Sequence, residues 1–392
     1  MTLGHAAGIL PFAADADRYH RELGSHEVTV SLEETAARRE AKSSMERLVV
    51  LTEEGGFFGQ TRKPWVSLDV GRLCRHVEQG GIRVERATFG DVGTGTIEIR
   101  DSAVFFAFSQ KENSRRYLTD IVLHLSHGSN LLIPSFDLLM CHENKGYQEL
   151  FRRQRGLPAL AGVYLVSSRD VKGLNLNFPV VLKTVDGSNG KGVFLARDRK
   201  ELLRITRRIE PRIPLMTRLD LIRRKHVRRQ KRFDAYPDYS SRTDYAQYRE
   251  YIVPRRRVVL QEYIPGLEYD FRVLALGGRF FVMKRHVRAG DFRASGTKLF
   301  EFDADVSVSL LDFAHSVEAQ VDAPFLSMDI CPYGCGWALL EFQALHFGVS
   351  AVKKGPGYFA RERNEWQFQP GQSDLEAEMA RALVEFLAAR GA

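Results

Sequence analysis

A parallel α/β domain followed by a larger α+β domain of mostly antiparallel strands is the architecture this sequence predicts. Three observations lead there. Between about residues 45 and 140, short apolar runs alternate with stretches of helical period, the pattern of strand–helix–strand units. Beyond residue 141 several β-type runs follow one another with few helices between them. Gly277-Gly278 stands between two of those runs, where a two-residue hairpin needs positive φ.

In order, the first 44 residues carry charged stretches such as Glu33-Glu34 and Arg38-Arg39-Glu40 without a motif, and are read as an extension. Leu48 to Leu51 reads as a strand, and Ser67 to Gln79 as a helix with Leu68, Val70, Leu73 and Val77 at helical spacing, closed by Gly80-Gly81. Strands at Ile82 to Val84, Ala103 to Phe108 and Leu131 to Pro134, with a helix at Tyr117 to Leu125, complete a domain spanning 45–140. The second domain, 141–392, opens with a helix at Glu143 to Arg155 and a strand at Gly162 to Val166. Strands are expected at Phe178 to Thr184, Val193 to Ala196, Val258 to Ile264, Tyr269 to Leu276 and Phe280 to Arg285, and a closing amphipathic helix at Leu375 to Arg390. A basic insertion at about 206–257 interrupts it, with Arg223 to Arg232 nearly all cationic and Tyr236, Tyr239, Tyr245, Tyr248 and Tyr251 following.

Composition narrows the function classes. The chain has 392 residues, 44% of them hydrophobic, enough for the cores of two or three modest domains. No apolar run approaches the ~20 residues of a membrane span, and Met1 to His5 lacks the parts of a signal peptide, so cytoplasm is the expected location and no membrane partner is expected. Four cysteines make a disulfide framework improbable for this length. Cys331-Pro-Tyr-Gly-Cys335 lacks a second Cys or His pair at zinc spacing and reads as a turn between strands. A formal charge of +8 suits an acidic partner such as a nucleotide, a nucleic acid or an acidic polymer, without choosing among them.

The chemistry concentrates in three places. Gly187, Ser188, Asn189, Gly190, Lys191 and Gly192 lie between the strand ending in Lys183 and the strand from Val193. Three glycines let backbone amides turn toward a triphosphate. The spacing fails the Walker pattern because Gly192 follows Lys191 and a strand comes next; a hairpin over phosphates fits better, and a glycine-rich surface hairpin without a ligand is the plainer alternative. Lys183 favours the first, since an ammonium inside an apolar run is costly unless it meets an anion. Asp329 and the pair Glu341 and Gln343 lie on strands joined by a turn at Pro332 to Gly336. Residues two apart share a face, so two carboxylates and an amide carbonyl gather as hard ligands suited to Mg²⁺, the alternative being a solvated hairpin face. Between these groups Arg272, Arg285 and Arg293 sit at strand ends or in a loop, where forked donors hold a phosphoryl group or a carboxylate.

These motifs in this order resemble the ATP-grasp superfamily, in particular its glutathione-synthetase-like and ribosomal-protein glutamate-ligase-like carboxylate–amine ligases, from about Asn144 to Gly348 and more loosely before it. The resemblance implies an N-terminal pre-ATP-grasp-like α/β domain and an α+β ATP-grasp domain of two subdomains with the nucleotide between them. It implies ATP and Mg²⁺ as cofactors. Lys145, in an Asn144-Lys145 that stands where the family has Asp-Lys, inherits phosphate binding with Lys183 and the 187–192 loop. Gln261, Glu262, Tyr263 and Ile264 resemble the strand that reads adenine, and Glu268 the acid that holds the ribose. Asp270-Phe271-Arg272 and Gly290-Asp291-Phe292-Arg293 resemble two further family motifs, and Asp329, Glu341 and Gln343 fall at its Mg²⁺ ligands. One departure is Glu341-Phe342-Gln343 for the usual Glu-x-Asn.

The implied activity is an ATP- and Mg-dependent ligase that joins a carboxylate to an amine of amino-acid or peptide type through an acyl phosphate. Two rivals stand beside it: an ATP-dependent small-molecule kinase, and a nucleic-acid-binding protein on a degenerate ATP-grasp scaffold. The insertion, outside the shared pattern, reads either as a clamp for an acidic polymer or nucleic acid or as a solvated helical excursion.

Overall fold

The computed structural model describes residues 47–56, 58, 68–107, 112–185, 192–226, 241–294, 296–302 and 305–391. The chain divides into two compact units, the smaller holding Gly162–Val185 and Gly192–Tyr263 and the larger holding the other described residues. No helix among the described residues is long and apolar enough to cross a membrane.

The larger unit begins with β1 (Arg47–Thr52), α1 (Val70–Gln79), β2 (Arg83–Thr88), α2 (Phe89–Gly93), β3 (Ala103–Phe106), α3 (Glu112–Ser126) and β4 (Leu131–Ile133). The strands form one sheet in the order β2-β1-β3-β4, parallel at every pairing. Leu48, Val49, Val50 and Leu51 of β1 are all buried, as the central strand of a parallel sheet covered on both faces requires. Helix α1 starts at Val70 because Asp69 caps it, accepting from the Arg72 amide at 2.9 Å; Ser67, the expected start, lies outside the described residues. Two helices follow, α4 (Phe136–Cys141) and α5 (Lys145–Arg155). Gly156, with φ +64°, closes α5 in the left-handed conformation open to glycine.

The smaller unit is a four-stranded antiparallel sheet with helices. It contains β5 (Gly162–Leu165), β6 (Val180–Thr184), β7 (Val193–Ala196), α6 (Arg199–Ile209), α7 (Leu215–His226), α8 (Ser241–Ile252) and β8 (Val258–Glu262), in the strand order β5-β8-β6-β7. Val180, Leu182, Leu202, Val258 and Leu260 form its core. The helices α7 and α8 occupy the basic insertion. β8 stops at Glu262, two residues before the expected end, because Ile264 precedes Pro265, whose ring and missing N–H end ladder pairing.

The larger unit resumes with β9 (Tyr269–Leu276), β10 (Arg279–His286), β11 (Phe300–Glu301), α9 (Val308–Val321), β12 (Phe325–Tyr333), β13 (Gly336–Gln343), α10 (Ser350–Lys354), β14 (Gly357–Glu362), β15 (Glu365–Pro370) and α11 (Leu375–Gly391). Its sheet runs β13-β12-β9-β10-β14-β15, with β11 on β10. Gly277 and Gly278 join β9 to β10 with φ +51° and +73°, the two positive values of the expected hairpin turn. Gly277 has a second reason to lack a side chain, since a Cβ there would lie 2.9 Å from that of Ala382. One face of this sheet packs Leu274, Phe281 and Phe325 with Leu73, Leu383 and Leu387 of α1 and α11. The other packs Val273, Phe280 and Met328 against Leu310, Ala314 and Val317 of α9.

Candidate functional site

The register of β9, β10 and β12 builds a row of charges that the sequence spacing only half reveals. Asp270 and Arg272 are two apart on β9 and share a face. Across one edge Asp270 lies opposite Arg285, and across the other Arg272 lies opposite Asp329. Arg285 donates from Nε and Nη2 to the two oxygens of Asp270 at 2.6 Å each, and its Nη2 also lies 2.8 Å from Asp329 Oδ2. Arg272 grips Asp329 with Nε at 2.9 Å and Nη2 at 3.0 Å. Burial alone would raise the Asp329 carboxyl, but Arg272 and Arg285 together hold it well below the usual carboxylate range. Burial pushes Asp270 up against the pull of Arg285.

Arg285, expected at a strand end, is the next-to-last residue of β10 and is enclosed, with about 3% of its side chain exposed. The reason is that two carboxylates accompany it, which makes burial of a guanidinium tolerable. Arg293 is not part of this row. It pairs with Asp291 of its own loop through Nε and Nη2, both at 2.9 Å, and the Arg293 hydrogen bonds lower Asp291 to about 2.

Next to this row lies a second one. Glu341 stands directly opposite Asp329 across β12 and β13, and the register then slips so that Ile330 faces Leu339. Leu340 is therefore the extra residue of a β-bulge. Arg152 of α5 fills the disturbed ladder, donating from Nη1 to the carbonyl oxygens of Leu340 at 3.2 Å and Leu339 at 3.4 Å, while Glu149 accepts from its Nη2. Asn144, where the family resemblance has Asp, caps α5 by accepting from the Tyr147 amide at 3.1 Å. That cap sets Lys145 in the first turn, buried, with Nζ 3.9 Å from Glu341 Oε1.

Gln343 donates from Nε2 to Glu341 Oε1 at 3.2 Å, and its Oε1 lies 2.9 Å from His142 Nδ1. His142 occupies the turn between α4 and α5, beside Glu143, whose φ of +48° is uncommon for a residue with a side chain. Arg115 holds Glu143 through a 2.6 Å contact. Burial lowers His142 to about 4, so its ring is neutral at physiological pH. Burial lowers His346 too, and its ring centroid lies 6.3 Å from that of His142. Neither histidine was an expected site residue. Their role follows from tertiary proximity across some 200 positions of chain, for which no local pattern exists.

The remaining expected residues divide as follows. Glu268 lies in the larger unit, where its carbonyl accepts from the Val287 amide at 2.8 Å, and Ile264 packs in that unit with Leu160 and Cys331. Lys183, Gln261, Glu262 and Tyr263 belong to the smaller unit. Lys183 is on β6 opposite Val193 of β7, and the Thr184 amide donates to the Gly192 carbonyl at 2.8 Å. Gly192 has φ +77°, and a Cβ there would collide with Thr184 Oγ1, so that position requires glycine. Gly187, Ser188, Asn189, Gly190 and Lys191 lie outside the described residues. Cys331 is buried and Cys335 exposed, as a plain turn between β12 and β13 has them.

A resident Mg²⁺ fits part of the expected set. Asp329 and Glu341 bring carboxylate oxygens to neighbouring positions of one sheet face, hard donors of the kind that ion takes. Among the described residues, no group of three His, Cys, Asp or Glu side chains is arranged to hold a metal by itself. An ion here would therefore draw its other ligands from water or substrate oxygens, as Mg²⁺ commonly does. Gln343 fits less well, because its carbonyl oxygen already faces His142.

In the insertion, Tyr248 stacks under the guanidinium of Arg224 at 3.7 Å and its hydroxyl bonds Asp220, while Lys225 lies 6.0 Å from the Tyr245 ring. Those two tyrosines are used between α7 and α8. Leu215, Met216, Leu219 and Ile222 of α7 are instead exposed.

Residues 155–226 match the model of the RimK-like ATP-grasp domain. That match is in line with the resemblance drawn from the motifs. Among solved structures it is similar to D-cycloserine synthetase DcsG at 15% identity, covering 87% of this chain and 99% of that one with a TM-score of 0.49. A RimK domain ATP-grasp protein from Sphaerobacter thermophilus gives 11% identity, 87% and 98% coverage and a TM-score of 0.49. The macrocyclase MdnC from Microcystis aeruginosa, solved with its precursor peptide MdnA, gives 11% identity, 88% and 99% coverage and 0.46. No curated protein matches the chain in sequence.

Proposed function

We propose that this chain is an ATP- and Mg-dependent carboxylate–amine ligase that activates a carboxylate as an acyl phosphate and passes it to an amine. The observation that carries the reading is the pairing of Asp329 with Glu341 on adjacent strands, beside arginines and Lys145, in a chain whose residues 155–226 match an ATP-grasp model. A bound magnesium ion would supply charge neutralisation on the phosphates, with Asp329 and Glu341 to hold it.

The protein's own groups then act by position and charge. Lys145 and Lys183 neutralise phosphate oxygens, the first from the start of a capped helix and the second from β6. Arg272, held in place by Asp329, presents its remaining donors to the transferring phosphoryl group or the substrate carboxylate. Arg285 works indirectly, since its donors are committed to Asp270 and Asp329; it fixes the row on which Arg272 stands. Gln261, Glu262, Tyr263 and Ile264 contact the adenine and Glu268 the ribose. Arg293 orders its loop through Asp291 and is proposed to hold the phosphoryl group or the substrate carboxylate. No protein nucleophile is needed, because the substrate carboxylate attacks the γ-phosphorus and the amine attacks the resulting acyl carbon, releasing phosphate.

The substrates are of amino-acid or peptide type. The exposed Leu215, Met216, Leu219 and Ile222 among the cations of α7 support a peptide, which offers apolar side chains as well as charge. The cytoplasm is the proposed location. A screen of amino acids and short acidic peptides for stimulated ADP release tests the reading. Turnover should appear with one carboxylate–amine pair and fall at least about 100-fold in Lys183→Ala and in Glu341→Ala, the scale of losing one stabilising contact to developing charge. Undiminished turnover in both variants would remove the assignment.

A further inference from the structure

The hydrogen bonds around Gln343 permit one assignment of donors and acceptors. A carboxylate only accepts, so the Gln343 atom facing Glu341 Oε1 at 3.2 Å is its amide nitrogen. The amide oxygen therefore faces His142 Nδ1 at 2.9 Å. An amide oxygen also only accepts, so the hydrogen on His142 sits on Nδ1. The chain of donation runs in one direction, from His142 to Gln343 to Glu341.

We infer that Gln343 is a positioning residue, anchored by His142, that orients the Glu341 carboxylate and does not itself ligate a metal ion. The inference rests on the ligase reading for the presence of a magnesium nucleotide, though the hydrogen-bond chain stands without it. Turning the Gln343 oxygen toward an ion would break both bonds together, removing from His142 and from Glu341 the partner that Gln343 supplies.

The backbone on each side is fixed against such a turn. Gln148 of α5 donates from Nε2 to the carbonyl oxygens of Cys141 and Phe342, both at 3.0 Å. These are the residues immediately before His142 and Gln343. One buried side amide thus locks the two segments in register, and His142 and Gln343 meet as the next residue of each. The longer arm of Gln relative to Asn has a local purpose here, because it lets the carbonyl reach His142 while the amide still reaches Glu341.

The test combines metal binding with stability. Mn²⁺ binding would be followed by electron paramagnetic resonance, with a non-hydrolysable ATP analogue, in the wild type, His142→Ala, His142→Asn, Gln343→Ala and the double alanine variant. Loss of an outer partner of a metal ligand weakens binding by about 10–100-fold. Both single alanine variants should show that loss to a similar extent, the double variant should be no worse, and the number of bound ions should not change. His142→Asn, which keeps a donor near the Nδ1 position, should recover most of the affinity. Loss of a bound ion in Gln343→Ala, with His142→Ala unaffected, would make Gln343 a ligand and overturn the inference. A wild type that binds neither Mn²⁺ nor the analogue would count against the ligase reading. In that case thermal unfolding of the ligand-free proteins decides: unequal, additive losses in midpoint would overturn the His142–Gln343 pair, and losses that do not add would uphold it.

Discussion

Two neighbouring rows of charge on one sheet are built on opposite terms. In the row of Asp270, Arg272, Arg285 and Asp329 the charged groups are largely buried and each is answered by an opposite charge within the row. In the row of Lys145, Glu341, Gln343 and His142 the pairing is looser, with Lys145 at 3.9 Å and Glu341 about a third exposed. The first row sets its charges against one another, which fixes Asp329 and Arg272 where the proposed reading uses them. The second holds a carboxylate, Glu341, that is partly open to solvent, and the proposed reading brings the phosphates there.

The sharpest way to break this contrast is to remove Arg285. Two buried carboxylates would lose a common partner, and breaking a buried pair in this way costs about 3–5 kcal/mol. Arg285→Met should lower chemical-denaturation stability by that amount, whereas Glu341→Gln, at a carboxylate about a third exposed, should cost under about 1 kcal/mol while cutting ATP turnover at least about 100-fold. Similar stability losses in the two variants would erase the distinction.

A second effect depends on pH. His142 titrates near 4 in the folded protein against an ordinary value near 6.5, so the unfolded chain takes up a proton that the folded one refuses between those values. Stability is therefore full above about pH 6.5 and falls as pH drops toward 4, by on the order of 3 kcal/mol. In the metal-free protein, urea midpoints measured from pH 7 to 4 should decline less steeply in His142→Asn than in the wild type. The smallest effect belongs to the insertion: Leu219→Lys on the exposed face of α7 should change stability by less than about 0.5 kcal/mol, read by thermal unfolding. A large loss there would mean that the face is covered in solution.

Much of the scaffold was legible in the chain. β9 and its Gly277-Gly278 turn follow from apolar alternation and paired glycines, and the parallel sheet follows from alternating strands and helices, because these signals are local. The face shared by Glu341 and Gln343 was also readable from spacing. The partners of those residues were not. Arg272 meets Asp329 and His142 meets Gln343 only through register and packing between segments far apart in sequence, and nothing local distinguishes a buried, committed arginine such as Arg285 from a free one. The tyrosines of the insertion were read two ways, and two of them, Tyr245 and Tyr248, pack with Lys225 and Arg224 between α7 and α8, while Tyr251 is exposed.

The central claim is the acyl phosphate, and hydroxylamine tests it most directly. Incubated with ATP, Mg²⁺ and the carboxylate that stimulates ADP release, with the acceptor amine left out, the protein should yield a hydroxamate in proportion to the ADP formed. ADP formed with a stable phosphorylated product and no hydroxamate would make the protein a kinase and contradict the account.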